Sequence, residues 1–425
     1  MNPDREVLRG DVLITDGRIA GVGDGLTVPP GTRLLDAAGL HVLPGLIQAH
    51  VHLGQALFRG LAEDRELLSW LKDRVWPLEA AHDADSAYWS GMLGASDALL
   101  SGTTTVQEIG LVREMDAIFR AILDSGLRAV AGKCLMDWGE DVPSRLLEDT
   151  RASLAEAESL AATWHGAAGG RLRAAVCPRF VLSCSRELWE GTSDLAARLH
   201  LPVNTHLLES QAEEAAVKDA LGTGQMEFLD GTGVLDRDFR IAHGVWLQDS
   251  HVRTLGGRPL KVAHCPSANL KLGSGVADLV FLRTQPGFSV GIGTDGAPCN
   301  NDMDILEEIR LGALLQQWKQ GPGRFTARDA LELATIEGAR SLGWEDEIGS
   351  LEPGKAGDLV VLNLDRVASF GPEQVSVYDR IVYGAGRDQV QWVVVDGEVL
   401  VEAGRLTQAR RGGRARHPAR VHRPA

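Results

Sequence analysis

Eight apolar runs with the character of β-strands recur through the middle of this chain, and helical stretches separate most of them. The runs are 46–52, 103–109, 127–136, 172–178, 202–207, 239–245, 259–265 and 289–295. Stretches such as DLAARLH before the fifth run and SQAEEAAVKDALG after it have the spacing of amphipathic helices. Strands that alternate with helices predict an α/β fold with a parallel sheet, and eight such units predict a closed (β/α)8 TIM barrel.

Short strands near both ends of the chain predict a second, smaller domain. Residues 12–23 contain two strands joined at Asp16-Gly17, and residues 390–404 contain two more joined at Asp396-Gly397. Asp-Gly is a dipeptide suited to a tight hairpin turn. We therefore predict a composite β-sandwich domain formed by residues 1–44 and 345–425, and a barrel formed by residues 45–344.

The last residues of the chain, 405–425, have a different composition from the rest. They contain seven arginines and no acidic residue. This composition predicts a surface tail, with a basic arm that contacts a subunit or an anion as the alternative.

Polar residues stand at the ends of several predicted strands. His50 and His52 are two positions apart in LIQAHVH, so their side chains share one face of that strand. His206, His243 and Asp295 stand at the ends of the fifth, sixth and eighth runs. Because the carboxyl ends of barrel strands meet at the face where barrel enzymes have their active sites, we expect these side chains to converge.

The converging residues have the chemistry of metal ligands. His50, His52, His206 and Asp295 supply three ring nitrogens and one carboxylate oxygen, a set that suits a divalent ion such as zinc. A divalent ion in such a site lowers the pKa of bound water toward 7. We therefore predict one divalent metal, zinc, with iron as the alternative.

Five longer motifs resemble those of the amidohydrolase superfamily: PGLIQAHVH, HGVWL, HCPSANLKLGSG, GTDGAPCNNDMD and IGSLEPGKAGDLVVL. They are similar to the branch that contains methylthioadenosine/S-adenosylhomocysteine deaminases, 5'-deoxyadenosine deaminases and triazine chlorohydrolases. The resemblance covers nearly the whole chain and implies the barrel, the composite β domain and the metal-ligand set. It also implies that Glu209, in the sequence HLLE, is a proton shuttle, and that His243 orients the attacking oxygen.

Four further residues bear on the substrate. Trp70 and Glu79 lie in LLSWLKDRVWPLEAA, and the resemblance assigns them substrate contacts, which in nucleoside deaminases are to the ribose. Gln55 and Arg179 instead resemble residues of guanine deaminases, and their amide and guanidinium groups can hydrogen-bond a purine carbonyl and ring nitrogen.

The resemblance implies a hydrolytic deaminase of an amino-substituted N-heterocycle. The substrate is predicted to be a 5'-modified adenosine (methylthioadenosine, S-adenosylhomocysteine or 5'-deoxyadenosine) or a guanine-like base. A triazine chlorohydrolase, a binuclear cyclic-amide hydrolase and a catalytically silent binding protein are the alternatives. Binuclear relatives bridge two metals with a lysine on the fourth strand, which this chain lacks unless Lys133, on the third run, takes that role.

His264 and Lys271, in HCPSANLKLGSG, match a family motif. We expect them to shape the pocket or to be structural.

Composition and charge exclude several classes of function. A net charge of -15 disfavours nucleic-acid binding, which requires a basic surface. Five scattered cysteines without CxxC spacing indicate neither a disulfide framework nor a thiolate metal site. The sequence shows no secretion signal and no apolar run long enough to span a membrane. We expect a cytoplasmic homo-oligomer that acts on small heterocycles.

Overall fold

The computed structural model describes residues 1–2, 4–365, 367, 374–407 and 419–422. The strands of the described residues are β1 Asp11–Thr15, β2 Arg18–Gly23, β3 Arg33–Asp36, β4 His41–Pro44, β5 Leu46–His52, β6 Thr103–Ile109, β7 Arg128–Gly132, β8 Cys134–Leu135, β9 Leu172–Ala174, β10 Cys177–Pro178, β11 Val203–Leu207, β12 Phe239–His243, β13 Leu260–His264, β14 Phe288–Ile292, β15 Asp295–Gly296, β16 Leu359–Leu362, β17 Val390–Val395, β18 Glu398–Glu402, β19 Arg405–Leu406 and β20 Ala419–His422.

Helices follow most of the central strands, as the alternating pattern predicts. They are α1 Leu67–Trp70, α2 Trp76–Ala80, α3 Ala84–Leu100, α4 Met115–Ser125, α5 Thr150–Trp164, α6 Arg186–Leu199, α7 Gln211–Leu221, α8 Gln225–Asp230, α9 Asp249–Leu255, α10 Pro266–Lys271, α11 Leu279–Thr284, α12 Ala297–Asn300, α13 Ile305–Gln320, α14 Ala327–Leu333, α15 Ile336–Ser341 and α16 Val377–Gly384. A π-helical turn, Leu71–Val75, joins α1 to α2.

The central strands form parallel sheets. One sheet has the order β15-β5-β6-β7-β9, another has the order β11-β12-β13-β14, and β8 pairs with β10. An isolated parallel bridge pairs Val176, just before β10, with Val203, the first residue of β11. The predicted bounds are confirmed for β5 and β6, whereas the third, fourth and eighth runs are each two strands. The eighth run is interrupted at Gly293, where a Cβ atom would lie 2.4 Å from the carbonyl oxygen of His50.

Both Asp-Gly hairpins predicted from the sequence are confirmed. The turn at Asp16-Gly17 joins β1 to β2, and the turn at Asp396-Gly397 joins β17 to β18. All four residues have positive φ angles, 52° and 77° in the first turn and 51° and 79° in the second. A type I′ turn requires positive φ at both central positions, and glycine adopts it without steric cost.

Strands from the two ends of the chain share sheets. One sheet has the order β2-β1-β20-β3 and another has the order β19-β18-β17-β16-β4, so each combines early and late strands. A buried apolar cluster contains side chains from both sheets: Val12, Ile14, Ile19, Leu35, Ala37, Leu359, Val361 and Val394. Residues 408–418 and 423–425, which make up most of the predicted Arg-rich tail, lie outside the described residues.

A buried ion pair joins these terminal sheets to the parallel strands. Arg128 on β7 donates from Nε to Oδ2 of Asp358 at 2.7 Å and from Nη2 to Oδ1 at 3.1 Å. Asp358 Oδ1 also accepts the backbone N–H of Asp396 at 2.7 Å. A buried charge requires such partners, so this pair fixes how the terminal strands dock.

Two expectations about the chain's environment concern its cysteines and its helices. All five cysteines are buried free thiols. Among the described residues, the helices are too short or too polar to cross a bilayer.

Candidate active site

The predicted ligand residues converge at the carboxyl end of β5. Asp295 pairs with Val51 in register, and this pairing places its carboxylate beside the two β5 histidines. Asp295 Oδ1 lies 3.3 Å from Nε2 of His50 and 3.3 Å from Nε2 of His52. Nε2 of His206, on β11, lies 3.1 Å from Nε2 of His52. Four side chains from three separate parts of the chain thus meet within one small volume.

The hydrogen bonds of the histidines leave their other ring nitrogens facing one another. Nδ1 of His52 bonds the carbonyl oxygen of Ile109 at 2.6 Å, and Nδ1 of His206 bonds the carbonyl oxygen of Arg179 at 2.7 Å. A carbonyl oxygen can only accept, so each Nδ1 carries the proton and each Nε2 presents a lone pair. Among the described residues, neither ring nitrogen of fully buried His50 has a hydrogen-bond partner. Facing lone pairs and an unsatisfied buried ring are what a cation would satisfy.

Burial and neighbouring charges together set the protonation of the histidines and of Asp295. Burial lowers the pKa of His52 to about 4, with help from the charge of His50, and it lowers the pKa of His206 well below its ordinary value. Burial opposes ionisation of Asp295, but the approach of His50 Nε2 to 3.3 Å and the charges of the histidines hold the pKa of Asp295 well below its usual range. Neutral imidazoles and an ionised carboxylate are the forms that bind a metal.

Glu209 and His243 lie beside this group, as expected. His243 Nε2 is 3.4 Å from Glu209 Oε2 and 4.0 Å from Asp295 Oδ2. Nδ1 of His243 is held by Oδ1 of Asn269 at 2.9 Å, and the Ser274 hydroxyl donates to Glu209 Oε1 at 3.2 Å. Burial, with a contribution from the charge of Asp295, raises the pKa of Glu209 to about 8. A carboxyl group that keeps its proton at neutral pH can act as a general acid.

Three residues at this site have left-handed backbone angles. The φ angles of Leu208, His243 and Asp295 are 53°, 71° and 62°. Each such angle costs a non-glycine residue about 1–3 kcal/mol, and such strain clusters at functional sites. The strand ends are therefore bent in the region where the side chains converge.

A narrow cavity of about 30 Å³ opens onto this group. Its polar lining residues are His52, Gln55, Arg179, His206, Glu209, Glu213, His243 and Asp295, and its apolar lining residues are Leu67, Trp70, Leu71, Phe180 and Leu272. Apolar walls with a few convergent polar groups are typical of small-ligand sites. The aromatic walls formed by Trp70 and Phe180 suit a planar heterocycle.

Gln55, Glu79 and Arg179, predicted separately as substrate contacts, form one buried network. Arg179 donates from Nη1 to Glu79 Oε2 at 2.6 Å and from Nη2 to Glu79 Oε1 at 3.2 Å. Gln55 Nε2 donates to the same Oε1 at 2.8 Å. Glu79 is therefore engaged by its neighbours in this structure, while Gln55 and Arg179 line the cavity.

Three further sequence candidates are not among the residues that line the cavity. The fully buried ammonium of Lys133 bonds both carboxylate oxygens of Glu148 at 2.9 Å. Lys271 pairs with Glu63 at 2.6 Å and bonds Oδ1 of Asn301, so it ties two loops together. His264 is fully buried with no partner at either ring nitrogen, and burial lowers its pKa to about 3.

The sequence reasoning missed several residues of the site: Leu67, Phe180, Glu213, Asn269, Leu272 and Ser274. Asn269 and Ser274 lie within the motif HCPSANLKLGSG, whose length was itself a signal. Glu213 accepts the backbone N–H of Glu209 at 3.0 Å, but it lies on α7 while Glu209 precedes that helix, so no helical spacing indicated it.

Comparison with known proteins shows extended likeness. The model of the amidohydrolase family matches residues 41–400. The 5'-deoxyadenosine deaminase of Methanobrevibacter smithii is 35% identical, over 96% of this chain and 92% of its own length. The 5-methylthioadenosine/S-adenosylhomocysteine deaminase of Desulforudis audaxviator is 36% identical, over 93% of this chain and 90% of its own.

Two solved structures share the fold at lower identity. An adenosine deaminase from Xanthomonas campestris with bound zinc superposes with a TM-score of 0.85 at 28% identity, over 95% of this chain and 91% of its own. The guanine deaminase of Escherichia coli superposes with a TM-score of 0.82 at 28% identity, over 92% of both chains. Together with the parallel sheets, these likenesses show an α/β fold of the TIM-barrel type.

Proposed function

This chain belongs to the amidohydrolase family, and we propose that it is a metal-dependent hydrolytic deaminase of an amino-substituted N-heterocycle. One observation carries the proposal: buried Glu209, whose pKa is raised to about 8, stands beside a group of three histidines and one aspartate at the end of an aromatic-walled cavity. Ligand-type residues alone would suit many hydrolases. A buried proton donor beside them favours removal of an amine, which needs protonation to leave.

We propose that the parallel strands close into a (β/α)8 barrel over residues 45–344, and that residues 1–44 and 345–425 form a composite β-sandwich. The bridge between Val176 and Val203 supports closure on one side. The pairing of β15 with β5 supports it on the other.

His50, His52, His206 and Asp295 would hold one divalent ion, zinc, with iron as the alternative. Such an ion supplies a Lewis acid and lowers the pKa of water. The pairing of Lys133 with Glu148 supports a single metal, since it engages the ammonium that could have served as a bridge to a second one.

The residues around the substrate would divide the proton transfers. Asp295, held ionised by its histidine neighbours, takes a proton from the attacking water, while Glu209 gives its proton to the ring nitrogen beside the carbon under attack. His243, oriented by Asn269, stabilises the incoming oxygen. The carbon–oxygen bond forms and the carbon–amine bond breaks. Ammonia leaves with the proton from Asp295, and the second proton of the water restores Glu209.

The proposed substrates are 5'-modified adenosines, such as 5'-deoxyadenosine, methylthioadenosine and S-adenosylhomocysteine, or a guanine-like base. The first class is supported by the relatives that are about 35% identical over most of the chain. The second is supported by Gln55 and Arg179, which line the cavity. Triazine chlorohydrolysis is the second candidate reaction, but a chloride leaving group has no need of the buried acid Glu209.

A cytoplasmic location remains a prediction, supported by the five free thiols. A homo-oligomer also remains a prediction, supported by exposed apolar side chains such as Trp318, which is 78% exposed.

Ammonia release from a panel of aminopurines tests the proposal. The panel contains 5'-deoxyadenosine, methylthioadenosine, S-adenosylhomocysteine, adenosine and guanine, with chloro-triazine as the comparison. We expect ammonia from at least one purine and a kcat/KM for it well above that for chloride release. Chloride release without ammonia from any purine would reject deamination in favour of the triazine reaction.

A further inference from the structure

The helical segment that forms one wall of the cavity contains an unusual turn. The segment runs from α1 through the π-helical turn Leu71–Val75 into α2 without leaving helical backbone angles. At its start, the N–H of Trp70 bonds the carbonyl of Glu66, four residues earlier, at 2.8 Å. At its middle, the N–H of Trp76 bonds the carbonyl of Leu71, five residues earlier. One extra residue is therefore inserted into a single turn of the helix.

The residue after Trp76 explains the turn. Pro77 has no backbone N–H, and the ring of a proline in a helix clashes with the carbonyl four residues before it, which here belongs to Asp73. A wider turn at this point removes the clash. Pro77 is exposed to solvent, and its side chain is not among those that line the cavity. Its influence on the site therefore acts through the backbone.

The extra residue changes which side chains share a face of the helix. Trp70 and Glu79 are nine positions apart, which in a regular α-helix places them about 180° apart around the axis. One inserted residue reduces this angle to about 80°. In the structure Trp70 and Leu71 line the cavity, while Glu79 bonds Gln55 and Arg179, which line it as well. The π turn thus allows residues before Pro77 to line the cavity while Glu79, after Pro77, bonds two residues that line it.

Contacts at both ends of the helical segment hold Trp70 and Glu79 at this angle around the helix axis. Glu66 caps its first turn by accepting the N–H groups of Leu68 and Ser69. Glu79 is held at the other end by Arg179, with both groups nearly completely buried. Among the described residues, the buried indole N–H of Trp70 has no hydrogen-bond partner.

We propose that Pro77 is a positioning residue for the substrate. The π turn that Pro77 imposes sets Trp70 and Leu71 against the substrate while Glu79 stays bound to Arg179. This inference rests on the proposed function for its substrate, but its structural part stands independently.

Pro77→Ala tests the inference, because alanine supplies the missing N–H and permits a regular α-helix. We expect KM for the best purine substrate to rise roughly two- to tenfold, the worth of one displaced aromatic contact, with a much smaller change in kcat. Arg74→Ala is the matched control, since Arg74 is exposed in the same turn and its replacement removes no helix constraint. The control should keep the wild-type KM.

A double variant distinguishes a changed angle between Trp70 and Glu79 around the helix axis from a general loss of packing. Deleting Arg74 in the Pro77→Ala chain removes the inserted residue and returns Trp70 and Glu79 to their original relation on a regular helix. We expect KM to return toward the wild-type value. A Pro77→Ala enzyme with wild-type KM, or a double variant no better than Pro77→Ala, would overturn the inference.

A crystal structure of the Pro77→Ala chain provides a readout that does not depend on turnover. The inference predicts that Trp76 then bonds a carbonyl four residues earlier, and it is wrong if the bond to Leu71 persists. Failure of the wild-type enzyme to release ammonia from any purine would reject the proposed function instead, leaving this structural result to decide the role of Pro77.

Discussion

Glu209 and Asp295 are buried carboxyl groups in one cavity, yet their surroundings move their pKa values in opposite directions. Asp295 is surrounded by histidines, which hold its pKa well below the usual range. Burial, with the negative charge of Asp295, raises the pKa of Glu209 to about 8, although the hydrogen bond from Ser274 acts to lower it. Two acids separated in this way can serve as proton acceptor and proton donor in one reaction.

Glu209→Gln tests the donor. The amide keeps the shape of the side chain but has no acidic proton, so we expect kcat to fall about 10²- to 10⁴-fold with KM nearly unchanged. Glu308→Gln is the matched control, because Glu308 is another fully buried glutamate with its pKa raised to about 8 and it does not line the cavity. Wild-type kcat in the Glu209 variant would show that the donor is misassigned.

The pH dependence follows from the same group. A folded-state pKa of about 8 for Glu209 means that the proton is present at neutral pH and is lost as the pH rises through that value. We expect kcat/KM to be level near pH 7 and to fall tenfold per unit well above pH 8, measured with a substrate that does not itself ionise in this range. A rate that keeps rising to pH 10 would contradict a protonated Glu209 in the active form.

At the scale of elements, the features that depend on residue type and spacing could be predicted from the sequence. The two Asp-Gly hairpins, the bounds of β5 and β6, and the meeting of His50, His52, His206 and Asp295 all follow from residue type, spacing and the rule that strand ends converge. The pairing of Glu79 with Arg179 could not be predicted in this way, because Glu79 lies on helix α2 and not at the end of a strand. The π turn at Leu71–Val75 went unpredicted, although Pro77 was its visible cause.

Gly17→Ala tests the first hairpin. Gly17 has a φ of 77°, a conformation that costs a residue with a side chain about 1–2 kcal/mol, so we expect the free energy of unfolding to fall by about that amount in urea titrations. Gly386→Ala is the matched control, because Gly386 has a φ of -148° and an added Cβ there would have its nearest neighbour at 3.8 Å. Equal losses in both variants would argue against a turn effect.

At the scale of the whole molecule, the buried pair Arg128–Asp358 couples the terminal sheets to the parallel strands. Asp358→Asn would leave the buried guanidinium of Arg128 with only the more distant carboxylate of Asp396, at 3.9 Å, and we expect the free energy of unfolding to fall by up to about 3–5 kcal/mol. Glu158→Gln breaks the exposed pair with Arg198 and should leave the urea midpoint unchanged. A similar small effect in both variants would show that the buried pair does not secure the docking of the sheets.

We propose that a divalent metal held by His50, His52, His206 and Asp295 is required for deamination. The most direct measurement is the metal content of the purified protein together with ammonia release before chelation, after chelation and after return of zinc. We predict about one metal per chain, loss of activity in step with loss of metal, and recovery on adding zinc. Full ammonia release from a chain stripped of metal would contradict this account.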